Sequence, residues 1–166
     1  MIFEERRKHH SLAVLRHAKA NNIEFRLLDA IIATESSYNQ WATRYEINFK
    51  VSDDVALYAR KNNTTRTTEV ELEKFSWGLG QIMGGTARWL GFNGPIPLLC
   101  VPDQNLLVMV KLIKKLQKRY TQEDEIIAAY NAGSARRLED GSFRNQDYVD
   151  KVYKNMGLYV VQNNNY

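Results

Sequence analysis

The sequence predicts a mainly α-helical domain with at most a small β element between residues 41 and 81. Three observations predict it. Apolar residues recur at helical spacing along most of the chain. Ser, Thr, Asp, Asn and Gly stand where helices would start or stop. The one glycine-dense stretch, SWGLGQIMGGTARWLG, is confined to residues 76–91.

Taken in order, residues 4–20 read as a helix that Asn21-Asn22 stops. A second helix runs from Ile23 to Ser37, with Leu28, Ile31, Ile32 and Glu35 on one face. Residues 52–63 and 67–75 form two shorter polar helices, each preceded by a Ser or Thr able to cap it. The glycine-dense stretch is a loop or short strand leading into a brief helix. Asp103 is a candidate cap for a long helix to Tyr120, with Leu106, Met109, Val110, Ile113 and Leu116 inward. Thr121 followed by Asp124 resembles a capping box for the next helix, which Gly133 ends. Residues 146–161 make the last helix, and the NNNY tail is expected to fray.

The 166 residues carry no repeat, low-complexity tract or Pro/Gly/Ser-rich linker, so one domain over residues 1–166 is expected. Hydrophobic residues make up 44% and charged residues 25%, the balance of a globular chain with a real core. No apolar run approaches the ~20 residues of a membrane span. The N-terminus, MIFEERRKHH, lacks the apolar stretch of ~7–15 residues of a secretory signal. Synthesis in the cytoplasm is therefore the expectation. The one cysteine, Cys100, excludes an internal disulfide, and its context PLLCVP is that of a buried inert thiol. A net charge of +4 suits an anionic partner without choosing between nucleic acid, lipid surface and cell-wall polymer.

Three clusters could carry chemistry. Glu35 places a carboxylate on the apolar stripe of a helix, where it must be desolvated or face a cavity. Desolvation raises its pKa, as a general acid near neutral pH requires; otherwise it is a helix-end glutamate reaching water. In Trp77-Gly78-Leu79-Gly80-Gln81, glycines let backbone approach a ligand while one amide supplies donor and acceptor. A dinucleotide or phosphate loop is a poor fit, because the third glycine, a preceding strong strand and a Lys-Ser/Thr pair are all missing. In Ala128-Ala129-Tyr130-Asn131-Ala132-Gly133, Tyr130 shares a face with Ile126, so its ring enters the core and its hydroxyl needs a partner. A buried carboxylate would serve; so would simple packing at a helix end.

In order along the chain, the words ATESSYN, SWGLGQIMGGTARWLG, DQNL, AAYNAG and NQDYVDKVYK resemble the soluble-type lytic transglycosylase catalytic domain, which is related to goose-type lysozymes. They span about Leu27 to Val152, most of the chain. The resemblance implies a lysozyme-like fold and cleavage of the bond between N-acetylmuramic acid and N-acetylglucosamine in peptidoglycan. It implies that Glu35 is catalytic, that Gln81 lines the saccharide groove and that Tyr130 hydrogen-bonds the catalytic carboxylate. Asn131 would support the groove floor and Tyr148 would close one wall. Ser37, beside the glutamate in the same word, is a further substrate-binding candidate. The family chemistry needs one acid, no metal and no organic cofactor, and it leaves a 1,6-anhydro end. Hydrolysis, as in goose-type lysozymes, is the alternative outcome and would require a second carboxylate to position water.

The sequence also departs from that family. Gly80 replaces the methionine before the glutamine, which would remove a hydrophobic wall, and Gly84 replaces a proline. The segment at about 41–75 is longer than the family's compact version, and a flap or one side of the groove is expected from it. Its Asp53, Asp54, Glu69, Glu71 and Glu73 read as solvated helix surface.

Rival classes fare worse. A noncatalytic wall-binding module would have no need of Glu35. Lys111, Lys114, Lys115, Lys118 and Arg119 form a basic stripe on one helix, but no nucleic-acid motif accompanies it. They read as a solvated outer face that could attract anionic cell-envelope polymers. His9, His10 and His17 lack the cluster that would complete a metal site and read as surface histidines. The expected partner is peptidoglycan glycan strands, with no nucleic acid and no second subunit: a monomer acting at the cell wall, in the periplasm or outside the cell. A wall-cutting domain without a secretory signal suggests a phage lysin or a virion-associated lysin; a bacterial enzyme cut from its leader, or an effector exported by a specialised apparatus, fits equally well.

Overall fold

The computed structural model describes residues 2–163, with side chains as far as Gly157. Its helices are α1 (Phe3–Ala20), α2 (Phe25–Ser36), α3 (Val55–Lys61), α4 (Arg66–Glu73), α5 (Gly84–Trp89), α6 (Pro102–Gln117), α7 (Glu123–Ala132) and α8 (Gln146–Asn163). Strands β1 (Thr43–Tyr45), β2 (Phe75–Trp77) and β3 (Ile82–Met83) form one small antiparallel sheet in the order β1-β2-β3. Arg44 pairs with Ser76, and Ser76 with Met83. The architecture is mainly α, as the periodicity requires, and β3 lies just past the window expected for strands. Of the NNNY tail expected to fray, residues 163–166, Asn163 is the last residue of α8 and 164–166 lie outside the described residues.

Helix α2 is the axis of the core. Leu27 through Ala33 are buried without a break, so the helix is enclosed on all sides rather than on one stripe. Helices α1 and α8 pack against it, and Asn155 of α8 donates to Thr34 Oγ1 at 2.9 Å. Asp29 is fully buried in α2, where it pairs with Arg7 at 2.7 Å and accepts a hydrogen bond from the Tyr38 hydroxyl. A buried carboxylate is tolerated only with such partners. Ser37 and Tyr38 both take left-handed backbone, at φ 49° and 59°. The double turn ends α2 sharply one residue after Ser36, leaving Glu35 in the last helical turn.

Several local expectations are corrected by tertiary contacts. Asp103 does not cap α6: Pro102 starts that helix, and Asp103 instead accepts from Arg16 at 2.5 Å and from His17 Nε2 at 2.9 Å. His17 and His10 are therefore not surface histidines; both are buried, and His10 stacks on Tyr38, while His9 is exposed. Helix α7 begins at Glu123 without a side-chain cap from Thr121. Its three acidic residues, Glu123, Asp124 and Glu125, complement the positive helix end instead. Thr65 does cap α4, accepting from the Thr68 amide at 3.1 Å. Ser52 does not cap α3; its amide and hydroxyl bind Glu73, at 2.5 and 2.7 Å.

The acidic residues of the 41–75 segment are likewise not all solvated. Glu69 and Glu73 are buried. Glu69 accepts from Arg88 Nε at 2.7 Å, locking α4 to α5, and Arg88 also donates to the Phe92 and Gly94 carbonyls. Glu73 clamps the loop at Ser52. Both carboxylates have complete local partners, so the segment is anchored to the body of the protein. None of the described helices is long and apolar enough to cross a membrane.

Candidate active site

Glu35 opens onto a groove of about 680 Å³. One side is built by β1 and the chain after it, through Arg44, Glu46, Asn48 and Phe49. The other is built by α6, the turn after it and α7, through Lys115, Arg119, Tyr130 and Asn131. Gln81, Met83 and Trp89 line the floor and end between them. The 41–75 segment thus supplies one side of the groove.

Glu35 is held by Tyr148. The Tyr148 hydroxyl donates to Glu35 Oε1 at 2.6 Å. Burial is the largest influence on the Glu35 carboxyl and raises its pKa; the Tyr148 bond and the nearby Arg44 charge pull it back in part. Burial and the neighbouring Glu35 in turn push the Tyr148 phenol far up, so it remains a proton donor at any working pH. Among the described residues, Oε2 of Glu35 has no hydrogen-bond partner. A desolvated carboxyl with one oxygen fixed and the other facing a groove is suited to hold and give up a proton.

Tyr130 plays a different part from the one expected. Its hydroxyl donates to the Gly80 carbonyl at 2.7 Å, and not to Glu35. The half-buried ring lies close enough to Glu35 that the carboxylate helps raise its pKa, but desolvation is the larger cause. The contact to the acid that the resemblance assigned to Tyr130 is made by Tyr148, which was expected to close one wall, and Tyr130 ties down the glycine loop.

That loop is fastened from three directions. The Gly80 amide donates to Asn105 Oδ1 at 2.8 Å, and Asn105 Nδ2 donates to the Trp77 and Leu99 carbonyls at 2.7 and 2.9 Å. Asn105 is buried, and its three bonds account for its full conventional role as a loop clamp. Gln81 sits in left-handed backbone, φ 47°, a conformation that costs a non-glycine residue about 1–3 kcal/mol unless its surroundings impose it. They do. Its Nε2 donates to the Ala42 and Gly78 carbonyls at 2.9 and 3.0 Å, and Ser76 donates to its Oε1 at 2.8 Å. Gln81 lines the groove, but both of its amide protons are committed to the protein.

The glycine at position 80 does not breach a wall. A Cβ there would lie 2.8 Å from the Tyr130 hydroxyl oxygen and 2.9 Å from Met109 Sδ. The space is interior and already filled, so the expectation of a lost hydrophobic wall is corrected. Gly84 is required by close packing as well, since a Cβ would meet the Leu72 carbonyl at 2.5 Å.

Of the residues singled out in the sequence, Glu35, Gln81, Tyr130 and Asn131 line the groove together. Tyr148 supports Glu35 without being one of the lining residues. Asn131 accepts from Asn145 Nδ2 at 3.0 Å through its Oδ1. Ser37 is the exposed left-handed cap of α2 and does not line the groove. Sequence reasoning did not single out Arg44, Asn105 or Trp89 as site residues. Asn105 stood in the word DQNL, and Arg44 was one charge among many in a polar segment. Lys115 and Arg119, expected on a solvated outer face, line the groove instead.

Among the described residues no cluster of three His, Cys, Asp or Glu side chains is placed to hold a metal. Cys100 is buried, and burial pushes its thiol pKa up, away from reactivity. Searches of curated proteins and of solved structures returned no match. The family model described as the Transglycosylase SLT domain matches residues 13–151, a span that includes Glu35, the glycine loop, Asn105, Tyr130 and Tyr148, and the chain belongs to that family.

Proposed function

We propose that the protein cleaves peptidoglycan glycan strands as a lytic transglycosylase, acting on the β-1,4 bond from N-acetylmuramic acid to N-acetylglucosamine. The observation that carries the reading is the state of Glu35: half-buried, raised in pKa by desolvation, bonded through one oxygen to Tyr148, and at the wall of a sugar-sized groove. Family membership supports the reaction class.

Protonated Glu35 gives its proton to the glycosidic oxygen as the bond to the muramic C1 breaks, and the N-acetylglucosamine leaves with a free 4-hydroxyl. The substrate's own N-acetyl oxygen stabilises the positive charge developing at C1. Glu35, now a carboxylate, takes the proton of the muramic 6-hydroxyl as O6 bonds to C1, which closes a 1,6-anhydro ring and restores the acid. One carboxyl group thus acts first as acid and then as base. Tyr148 holds Oε1 in both steps, and the chemistry calls for no metal or organic cofactor.

A single acid fits the groove better than a pair. Among the described lining residues Glu46 is the one other carboxylate, and it is paired with Arg44 Nε at 2.6 Å. A hydrolase would need a free carboxylate to position water. Mass spectrometry of digested sacculi decides between the outcomes: mainly anhydro-muropeptides are expected, and mainly reducing ends would overturn the proposal in favour of hydrolysis. The site of action on this reading is the cell wall, in the periplasm or outside the cell.

A further inference from the structure

Lys115 in the last turn of α6 and Arg119 in the turn that follows that helix both line the Glu35 groove. Neither has a carboxylate within ion-pair distance among the described residues. Their neighbours are directed elsewhere: Lys114 donates to the Asn21 carbonyl at 2.9 Å and Lys111 reaches the Leu90 carbonyl at 3.5 Å. Arg44, on the opposite side of the groove, is neutralised by Glu46. The α6 wall therefore presents two uncompensated positive charges to whatever enters.

Lys115 is also placed by an aromatic platform. Its ammonium lies 3.6 Å from the centroid of the Trp89 ring, and Trp89 lines the same groove with an otherwise exposed face. An ammonium over a tryptophan is held without losing its charge, and the guanidinium of Arg119 offers the fork that matches a carboxylate.

We infer that Lys115, Arg119 and Trp89 form a subsite for the carboxylate of the peptide stem carried by the glycan, beside the sugars themselves. The inference rests on the glycan-cleaving reading above and deepens it. Every muramic residue carries a lactyl ether to which a peptide with free carboxylates is attached, so an anion hangs beside the strand in fixed register with the bond to be cut. A cation pair on the groove wall meets that anion. The aliphatic parts of the peptide pack on the Trp89 ring. A phosphate-bearing wall polymer would also be drawn to the charges, but it has no fixed register with the scissile bond.

Turnover of two purified glycans tests the subsite: one has intact peptide stems, and the other is stripped by an amidase and its freed lactyl carboxylates are then capped as methylamides. The native protein is expected to favour the peptide-bearing strand about tenfold in kcat/KM. The double variant Lys115→Gln, Arg119→Gln is expected to lose that preference mainly through KM. A short glycerol-phosphate polymer added at equal charge is expected to inhibit both substrates alike. Equal rates of the native protein on the two glycans would overturn the subsite while leaving the glycan-cleaving reading intact. So would a double variant that keeps the preference, or phosphate inhibition confined to the peptide-bearing strand. Failure to cut either glycan would overturn the underlying reading and the subsite with it.

Discussion

Tyr148 reaches Glu35 across 113 residues of sequence, its hydroxyl 2.6 Å from Oε1, while Tyr130, half-buried near that carboxyl, spends its own hydroxyl on Gly80. One phenol fixes the acid and the other fixes the loop facing it. Both bonds come from the packing of α2, α7 and α8.

Replacing Tyr148 with Phe removes a bond that favours the ionised form of Glu35, so the Glu35 pKa rises further. The acid step needs the protonated carboxyl, and activity falls as pH climbs through that pKa. The alkaline limb of kcat/KM against pH is expected to move to higher pH in Tyr148→Phe. Tyr130→Phe is expected to move it less, and a larger shift in Tyr130→Phe would reverse the assignment of the two phenols.

Glu35→Gln is expected to cut turnover by about 10²-fold or more, the usual worth of a positioned general acid. It should also raise the Tm at neutral pH. Below the ordinary glutamate value of 4.5, the carboxyl is protonated in both folded and unfolded chains and costs the fold nothing. Above it the unfolded chain ionises first, and the penalty on the fold grows until the pH passes the raised folded value. The gain in Tm on substitution should therefore be larger at pH 7 than at pH 4, by differential scanning calorimetry.

Asn105→Leu strands the Gly80 amide and the Trp77 and Leu99 carbonyls at once. Each buried unsatisfied group costs about 1–3 kcal/mol, so a loss of about 3 kcal/mol or more in urea unfolding is expected. Because the clamp also sets the glycine loop opposite Glu35, the folded fraction should show reduced kcat. A variant with native stability would remove Asn105 from this role.

The Arg88–Glu69 pair is buried on both sides at 2.7 Å. Breaking such a pair by Glu69→Gln leaves a buried guanidinium short of its counter-charge and is expected to cost about 3–5 kcal/mol. Replacing both residues with Met should recover a large part of that loss. Equilibrium denaturation of the single and double variants checks the non-additivity.

Much of the molecule is written in local pattern. Apolar residues at helical spacing account for α1, α2 and α6, and the left-handed glycine at Gly133 ends α7 where expected. Glu35 stood out because an acid on an apolar stripe is costly wherever that stripe goes. These features depend on neighbours within a turn or two of helix, and residue order alone fixes such neighbours.

Partner choice was not legible in the same way. Glu69 and Glu73 look like solvated charges in a polar run until α5 and the Ser52 loop close over them. Asp103 sits where a cap belongs, yet α1 brings Arg16 and His17 to it. Lys115 faces outward from α6 and Arg119 follows in the turn after it, and only the approach of β1 and α7 turns that outside into the inside of a groove. A side chain's periodicity tells which way it points from its own helix. What it meets there is set by how distant helices pack, and that decided which tyrosine holds the acid.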